Sequence, residues 1–285
     1  MKTCDLHTHS HFSDGSRSPA EIVQEAVAIG LSAVALTDHN VIGGVELLWK
    51  AAEGTGVTAV GGCEFSVDYE GKELHLLGLY LQPQHLPLVA DHLQKFNTAK
   101  LESNRLLLAA LRADGYAITQ EELDARFPKA RINRAHVAEL LTEKGYTASI
   151  PEAFKTLLRE GGKYYVPPIQ PEVYDTIRWL RSIGVVPVLA HPMLQLTPER
   201  LRSFLPAAVA AGLVGMEVRH AQYDPEDIAA ATAIAAEFDL LPSGGSDFHG
   251  DTKPGISLGV GRGDLSVPAE WELALRRQAN TKNAQ

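Results

Sequence analysis

The chain has 285 residues, which is long enough to bury a large core and favours one domain with a modest insertion over two independent domains. Its 26 Lys and Arg residues against 35 Asp and Glu give a formal net charge of −9, which excludes a basic surface for long nucleic acid. No apolar run is long enough to cross a bilayer and no basic leader is present, so we expect a cytoplasmic protein that binds no membrane.

The first predicted strand ends in two histidines separated by one residue. Alternate residues of a strand point to the same side, so His7 and His9 can present both imidazoles to one metal ion. Asp14 follows in a turn with Gly15 and can add a hard oxygen ligand, a mixture of donors that Zn, Mn and Fe accept. The alternative is a pair of ordinary surface histidines near a terminus.

Helices and strands alternate along most of the chain. Ser18, Pro19 and Glu21 predict the start of the first helix, because they combine a capping residue, a proline at the first position and an acid that closes the capping box. The alternation breaks after residue 82, where the apolar spacing predicts helices, including a long one from Leu93 to Leu111. It resumes from Pro171, and the predicted elements there are helices 173–183, 198–211 and 225–238 and strands 185–190 and 214–218.

Metal-ligating residue types recur where later strand-like runs end. Parallel strands joined by helices bring their carboxyl ends to one face, which is where a (β/α) barrel carries its catalytic residues. We therefore expect an α/β barrel from residues 1–82 and 163–285, with residues 83–162 as a helical insertion over the carboxyl-end face. The residues placed after later runs are His39, Glu64, His75, His191, Asp247 and His249.

The insertion contains a candidate anion site. Asn133 has the character of a helix cap, so Arg134 and His136 would lie in the first helical turn, where free amides and the helix dipole favour an anion. The Arg134 guanidinium would add bidentate recognition of phosphate. The alternative is a surface arginine with a histidine packed beneath it.

Several further residues need an interpretation. His220 follows the predicted strand 214–218 and should reach the mouth of the site. It could bind phosphate or donate a proton to a leaving oxygen, or it could be a rim histidine bonded to the backbone. His85 and His92 lack partners at ligand spacing and are predicted to be solvated. Cys4 and Cys63 fall inside strand-like runs and are predicted to be small buried side chains in a reducing compartment.

Taken in order from His7-Thr8-His9 to Asp247-Phe248-His249, these motifs resemble those of the polymerase and histidinol phosphatase (PHP) family. The resemblance covers most of the chain and implies a distorted (β/α)7 barrel of about seven strands with a metal cluster at the carboxyl ends. It implies two or three divalent ions, of Mn, Fe or Zn, with Glu64 bridging two of them. One ion would be held by His7, His9, Glu64 and Asp247, a second by Glu64, His75 and His191, and a third by Asp14, His39 and His249.

The resemblance also implies a substrate. The stretches Thr37–Asn40 and Gly245–His249 look most like those of stand-alone phosphatases that remove the 3′-phosphate from 3′,5′-nucleoside bisphosphates. With phosphoadenosine phosphate the products would be AMP and phosphate. The expected chemistry is attack on phosphorus by a hydroxide held between two cations, with Glu64 and His220 as catalytic residues and Arg134, His136 and His220 binding the substrate.

Three alternatives share the same motifs. A 5′-3′ oligoribonuclease acting on short RNA would differ in how open the insertion leaves the cleft. A histidinol-phosphate phosphatase should carry an acidic specificity residue in the pocket, and none is evident from the sequence. A non-catalytic PHP module usually loses ligands, whereas every ligand position is occupied here.

Overall fold

A computed structural model describes residues 2–128, 130 and 132–279. In this part of the chain eight strands form one sheet that nearly closes into a barrel. The sheet order is β7-β6-β5-β4-β3-β2-β1-β8. The predicted α/β barrel is confirmed, and the two-residue β8 is added to the expected strands. The strands are β1 (Thr3–Asp5), β2 (Ala33–Leu36), β3 (Thr58–Tyr69), β4 (Lys72–Leu81), β5 (Val186–Leu189), β6 (Gly215–His220), β7 (Leu241–Gly245) and β8 (Val267–Pro268).

Besides the two-residue β8, which pairs antiparallel with β1, one strand of the described sheet runs against its neighbours. β3 continues past Glu64 and pairs antiparallel with β4, which is also antiparallel to β5. The two-residue turn Glu70-Gly71 joins β3 to β4 with φ values of 52° and 79°, the positive pair that a type I′ hairpin turn requires. His75 therefore lies near the start of its strand and not at a carboxyl end as expected. It reaches the same mouth because it pairs with Ser66, just beyond Glu64 on β3.

The barrel closes where β1 meets the end of β7. The Leu6 amide donates to Gly244 O at 3.2 Å, and the Asp247 amide donates to His7 O at 2.9 Å. The buried Asp5 carboxylate spans this junction, accepting hydrogen bonds from the amides of Ser246 at 2.9 Å and Gly259 at 2.8 Å. These contacts hold the loop after β7 against the loop after β1, and both loops carry predicted ligands.

Helices cover the outside of the barrel. The predicted capping box of α1 is present, with Ser18 and Glu21 each accepting a hydrogen bond from the other's backbone amide. The predicted helices after residue 163 are also found, within one residue of the expected bounds. No helix in the described residues is long and apolar enough to span a membrane. The helices are α1 (Pro19–Ala28), α2 (Val45–Ala52), α3 (Leu86–Ala113), α4 (Gln120–Arg126), α5 (Arg134–Glu143), α6 (Ile150–Lys155), α7 (Val173–Ser182), α8 (Pro192–Gln195), α9 (Pro198–Ala211), α10 (Pro225–Glu237) and α11 (Ala269–Arg276).

Helices α3 to α6 share an apolar cluster of their own, which includes Leu107, Ile118, Leu141 and Tyr165. Asn133, the cap of α5, donates from Nδ2 to Asp14 Oδ2 at 3.0 Å, so this group of helices touches the barrel at a predicted metal ligand. The division into a barrel of residues 1–82 and 163–285 and an insertion of residues 83–162 stays a prediction.

The prediction that His85 and His92 are solvated is wrong. His85 is buried, and its Nδ1 accepts from the Gln82 amide at the start of a short 3₁₀ turn. His92 stacks on Trp179 with the ring centroids 3.8 Å apart. These contacts depend on how neighbouring elements pack, which the spacing of histidines in the sequence does not show. Cys4 and Cys63 are buried and free, as predicted.

The junction at Asp5 leads to a stability prediction. Asp5→Asn keeps the size of the side chain but replaces one acceptor oxygen by a donor, which then faces a backbone N–H. We expect a loss of about 2 to 3 kcal/mol in the free energy of unfolding, measured by urea denaturation. The same change at the exposed Asp264 is the control and should have little effect. Equal stabilities of the two variants would show that Asp5 does not hold the junction.

Candidate metal centre and substrate pocket

Glu64 lies at the centre of a cluster of histidines inside the barrel mouth. The side chain is fully buried. Its Oε1 lies 2.7 Å from His75 Nδ1, and its Oε2 lies 3.0 Å from His39 Nδ1. The other ring nitrogens lie 3.1 to 3.2 Å from one of the two oxygens and belong to His7, His9 and His191. The carboxylate therefore gathers imidazoles from β4 and from the loops after β1, β2 and β5.

Asp247 joins the same group from the loop after β7. Its Oδ1 lies 3.2 Å from His9 Nε2 and 3.7 Å from His7 Nε2. With Glu64 these residues form the set predicted for the first ion. Ligand atoms of His7, His9 and Glu64 lie within 4.8 Å of one another, which suits a common ion.

A second group surrounds Asp14. Its Oδ1 lies 3.4 Å from His249 Nε2, and its Oδ2 lies 3.9 Å from His39 Nε2. This is the set predicted for the third ion, and His9 also falls within it. All the predicted ligands thus meet in one cluster, while the assignment of each to a particular ion stays a prediction.

The donor atoms themselves favour metal binding. Within the described residues, several buried ring nitrogens and carboxylate oxygens of the cluster make no hydrogen bond, and an unpaired buried polar atom is costly. Mixed imidazole and carboxylate donors suit Zn, Mn and Fe. The atoms without a hydrogen bond include His7 Nε2, both ring nitrogens of His9, Asp14 Oδ1, Glu64 Oε2, His75 Nδ1 and His191 Nδ1.

Electrostatics explain how so many charges can be buried together. Burial alone would raise the pKa of Glu64, but the imidazoles around it hold that pKa well below its usual range. Burial likewise opposes protonation of His9 and His75, yet the carboxylates that face them raise their pKa values to about 9 and about 10. Protons on these rings therefore balance the carboxylates until metal cations do so.

The sequence interpretation missed two acids that contact the ligands, the buried Glu217 and the partly buried Glu73. Glu217 on β6 accepts from His7 and from the backbone of His191. Glu73 lies 3.1 Å from His75 Nε2 and also pairs with Gln170. Glu73 also lines the cavity described below, so an acidic residue is present there although none was evident from the sequence. Both of its carboxylate oxygens are engaged by His75 and Gln170. The sequence signal that could have identified them is an acidic residue within an otherwise apolar strand.

Three non-glycine residues beside the cluster have left-handed backbone conformations. They are Asn40 with φ 51°, His191 with φ 29° and Asp247 with φ 53°. Such conformations cost of order 1 to 3 kcal/mol each and persist only where surrounding contacts hold them. The Asn40 amide donates to Glu64 O at 2.9 Å, so the backbone of the central residue supplies one of these contacts.

A cavity of about 220 Å³ opens from the cluster towards α3 and α5. Arg134 lies in its wall, with its guanidinium carbon 4.0 Å from the Tyr165 ring centroid and Nη2 donating to Glu160 at 3.1 Å. Lys100 of α3 lines the same cavity. The pocket therefore combines predicted metal ligands at its floor with cationic side chains in its walls.

His136 lies elsewhere than Arg134. Its side chain is buried, its Nδ1 accepts from the Asn133 amide to complete the capping box of α5, and its ring packs on Phe127. It lines a separate cavity of about 600 Å³ on the other side of Asp14. Residues two positions apart in a helix point to nearly opposite sides of it, and for this reason the pair is not brought together. Its predicted role in binding substrate stays a prediction.

His220 is buried at the edge of the cluster. Its Nδ1 accepts from the Gln222 amide at 3.2 Å, so a neutral ring carries its proton on Nε2. That Nε2 lies 3.4 Å from Asp247 Oδ2 and faces the predicted ligands. The ring is bonded to the backbone and also presents an N–H to the site, so both interpretations from the sequence describe part of its environment.

A model of the PHP domain family matches residues 5–167. Over 260 residues the chain is 31% identical to a 5′-3′ exoribonuclease of Haemophilus influenzae, covering 87% of this chain and 90% of that protein. Over 264 residues it is 31% identical to a 3′,5′-nucleoside bisphosphate phosphatase of Chromobacterium violaceum, covering 91% of each. A solved structure from Bifidobacterium adolescentis, described as a metal-dependent phosphoesterase, superposes with a TM-score of 0.86 at 28% identity over 98% of this chain and 96% of that one.

The fold and cluster are those of a metal-dependent phosphoesterase, which confirms the predicted class of hydrolase. The chain belongs to the PHP domain family.

The central position of Glu64 predicts the effect of its amide. Glu64→Gln keeps the shape but removes the charge that neighbouring ligands share. We expect two or three metal ions per wild-type chain after manganese reconstitution, because the ligands are too many for one ion. The variant should retain fewer ions by elemental analysis, and Glu272→Gln, a buried glutamate on α11, should retain all of them. A full metal complement in Glu64→Gln would exclude a bridging role.

The raised pKa values predict that metal binding releases protons. At pH 7 the rings of His9 and His75 lie below their pKa values of about 9 and about 10, so they are protonated without metal. A ligating imidazole must be deprotonated, so each such ring that binds metal gives up a proton. Calorimetric titration with zinc in buffers of different ionisation enthalpy measures this release. A binding enthalpy that does not change with the buffer would contradict it.

Proposed function

We propose that the protein removes the 3′-phosphate from 3′,5′-nucleoside bisphosphates, such as phosphoadenosine phosphate, giving AMP and phosphate. The observation that carries the proposal is the pocket, in which Arg134 faces the predicted metal ligands across one cavity. A bisphosphate offers one phosphate to the cluster and a second to a cationic side chain in the wall of the same cavity. The similarity to a 3′,5′-nucleoside bisphosphate phosphatase over 91% of the chain supports the same substrate class.

Arg134 is suited to hold the phosphate that is not cleaved. Its guanidinium stacks on Tyr165, and its pairing with the exposed Glu160 leaves other N–H donors for a ligand. A guanidinium binds phosphate bidentately, which fixes orientation as well as adding charge. Lys100 adds a second positive charge to the same pocket.

The catalytic residues act around the phosphate that is cleaved. Divalent cations held by the nine predicted ligands would lower the pKa of a bound water and polarise the phosphoryl oxygens. His220 presents its Nε2 proton to the cluster and is suited to protonate the leaving oxygen. Glu64 fixes the positions of the surrounding histidines, so its role is in assembling the site.

A 5′-3′ exoribonuclease acting on short RNA is the second candidate. The similarity to an exoribonuclease over 87% of the chain favours it, and the pocket residues named above would serve either substrate. A non-catalytic module gains no support, since every predicted ligand lies in the cluster. Histidinol phosphate gains little, because both oxygens of Glu73 are already occupied.

The proposal predicts a change in substrate preference. If Arg134 contacts the uncleaved phosphate in the ground state and the transition state alike, Arg134→Ala should mainly raise KM. The loss of one charge-assisted bidentate contact should cost about 2 to 3 kcal/mol. The wild type should therefore prefer a bisphosphate over the matching 3′-monophosphate by roughly 30- to 100-fold in kcat/KM, and the variant should lose this preference.

The matched control is Arg105→Ala, which removes an exposed arginine of α3 that pairs with Glu102 outside the pocket. It should keep the wild-type preference. A wild type that treats mono- and bisphosphate alike, or an Arg134→Ala variant that keeps the discrimination, would overturn the substrate assignment. Release of mononucleotides from a short 5′-phosphorylated RNA at a higher kcat/KM than the bisphosphate would favour the exoribonuclease.

A further inference from the structure

Glu217 contacts two predicted ligands from behind the cluster. It lies on β6 and is fully buried. Its Oε1 lies 3.1 Å from His7 Nδ1, and its Oε2 accepts the backbone N–H of His191 at 2.7 Å. Each oxygen thus serves a different ligand, one through the side chain and the other through the main chain.

The contact with His7 determines which ring nitrogen carries the proton. An ionised carboxylate only accepts hydrogen bonds, so His7 Nδ1 must be the donor. A neutral His7 then has its lone pair on Nε2, the atom that faces Glu64 at 3.2 Å and makes no hydrogen bond. This arrangement, in which a carboxylate holds the far nitrogen of a ligating histidine, orients the ring and raises its basicity.

The contact with His191 acts on the backbone. His191 has φ 29° and ψ 50°, a left-handed conformation that is uncommon for residues other than glycine. Its N–H is held by Glu217 Oε2, and its imidazole Nε2 lies 3.1 Å from Glu64 Oε1. The carboxylate therefore stabilises the bend that turns this ring towards the cluster.

We propose that Glu217 is a positioning residue that prepares two metal ligands at once, fixing the His7 tautomer and the His191 backbone. A carboxylate is needed because both contacts require an acceptor. The amide in Glu217→Gln has one acceptor and one donor. If its oxygen serves His191, its NH₂ drives the His7 proton onto Nε2; if its oxygen serves His7, its NH₂ faces the His191 N–H.

The first experiment uses the wild-type chain loaded with zinc, which is diamagnetic. Long-range ¹H–¹⁵N correlation spectra of the imidazoles report which ring nitrogen carries a proton, and a His7→Asn spectrum identifies the His7 signals. We expect His7 to be protonated on Nδ1 and to bind zinc through Nε2. A proton on Nε2, or zinc on Nδ1, would overturn the proposal without any variant of Glu217.

The second experiment compares zinc affinity by chelator competition. Glu217→Gln should bind zinc about 10- to 100-fold more weakly and lose the His7 Nδ1–H signal. Glu272→Gln, also a buried glutamate, should match the wild type in both respects. Wild-type zinc affinity in Glu217→Gln, with the signal retained, would overturn the proposal. Should Glu217→Gln fail to fold by thermal denaturation, the wild-type spectrum decides the question. Because the readouts are zinc affinity and protonation, they do not depend on the substrate proposed above.

Discussion

The barrel mouth is organised by one electrostatic constraint, the burial of the Glu64 carboxylate among imidazoles. The group has no access to solvent, and water cannot compensate its charge. Compensation comes from ring nitrogens no farther than 3.2 Å from its oxygens, and their residues lie on β4 and in the loops after β1, β2 and β5. Three features of the fold place these rings beside Glu64. They are the closure of β1 on β7, the antiparallel direction of β4 and the left-handed backbone at His191.

Much of this centre could be predicted from the sequence because the signals are local. His7 and His9 alternate at the end of an apolar run, and Asp247 and His249 do the same in the last motif. Such residues at strand ends meet in any barrel whose strands run in one direction. The caps at Ser18 and Asn133 could likewise be predicted, since a helix start depends on only a few neighbouring residues.

The rest depends on distant partners. The reversal at Glu70-Gly71 uses a two-residue turn without the Asn-Gly or Asp-Gly signal that most clearly marks such hairpins. Glu217 is one acid within a strand, and its partners are 210 and 26 residues away along the chain. His136 shares a helical turn with Arg134, yet the tertiary packing of Phe127 determines where its ring lies. In each case the deciding contact is long-range or depends on packing.

The hydrogen bond from Asn133 to Asp14 has a thermodynamic consequence. Asn133 is the cap of the helix that begins with Arg134, and Asp14 is a predicted ligand, so one short chain of contacts joins the two ends of the pocket. An ion that reorients Asp14 would therefore also act on the start of α5, and an anion on Arg134 would act on Asp14 through the same cap. By linkage any such coupling is reciprocal, so the change that the cation makes in the free energy of anion binding equals the change that the anion makes in the free energy of cation binding.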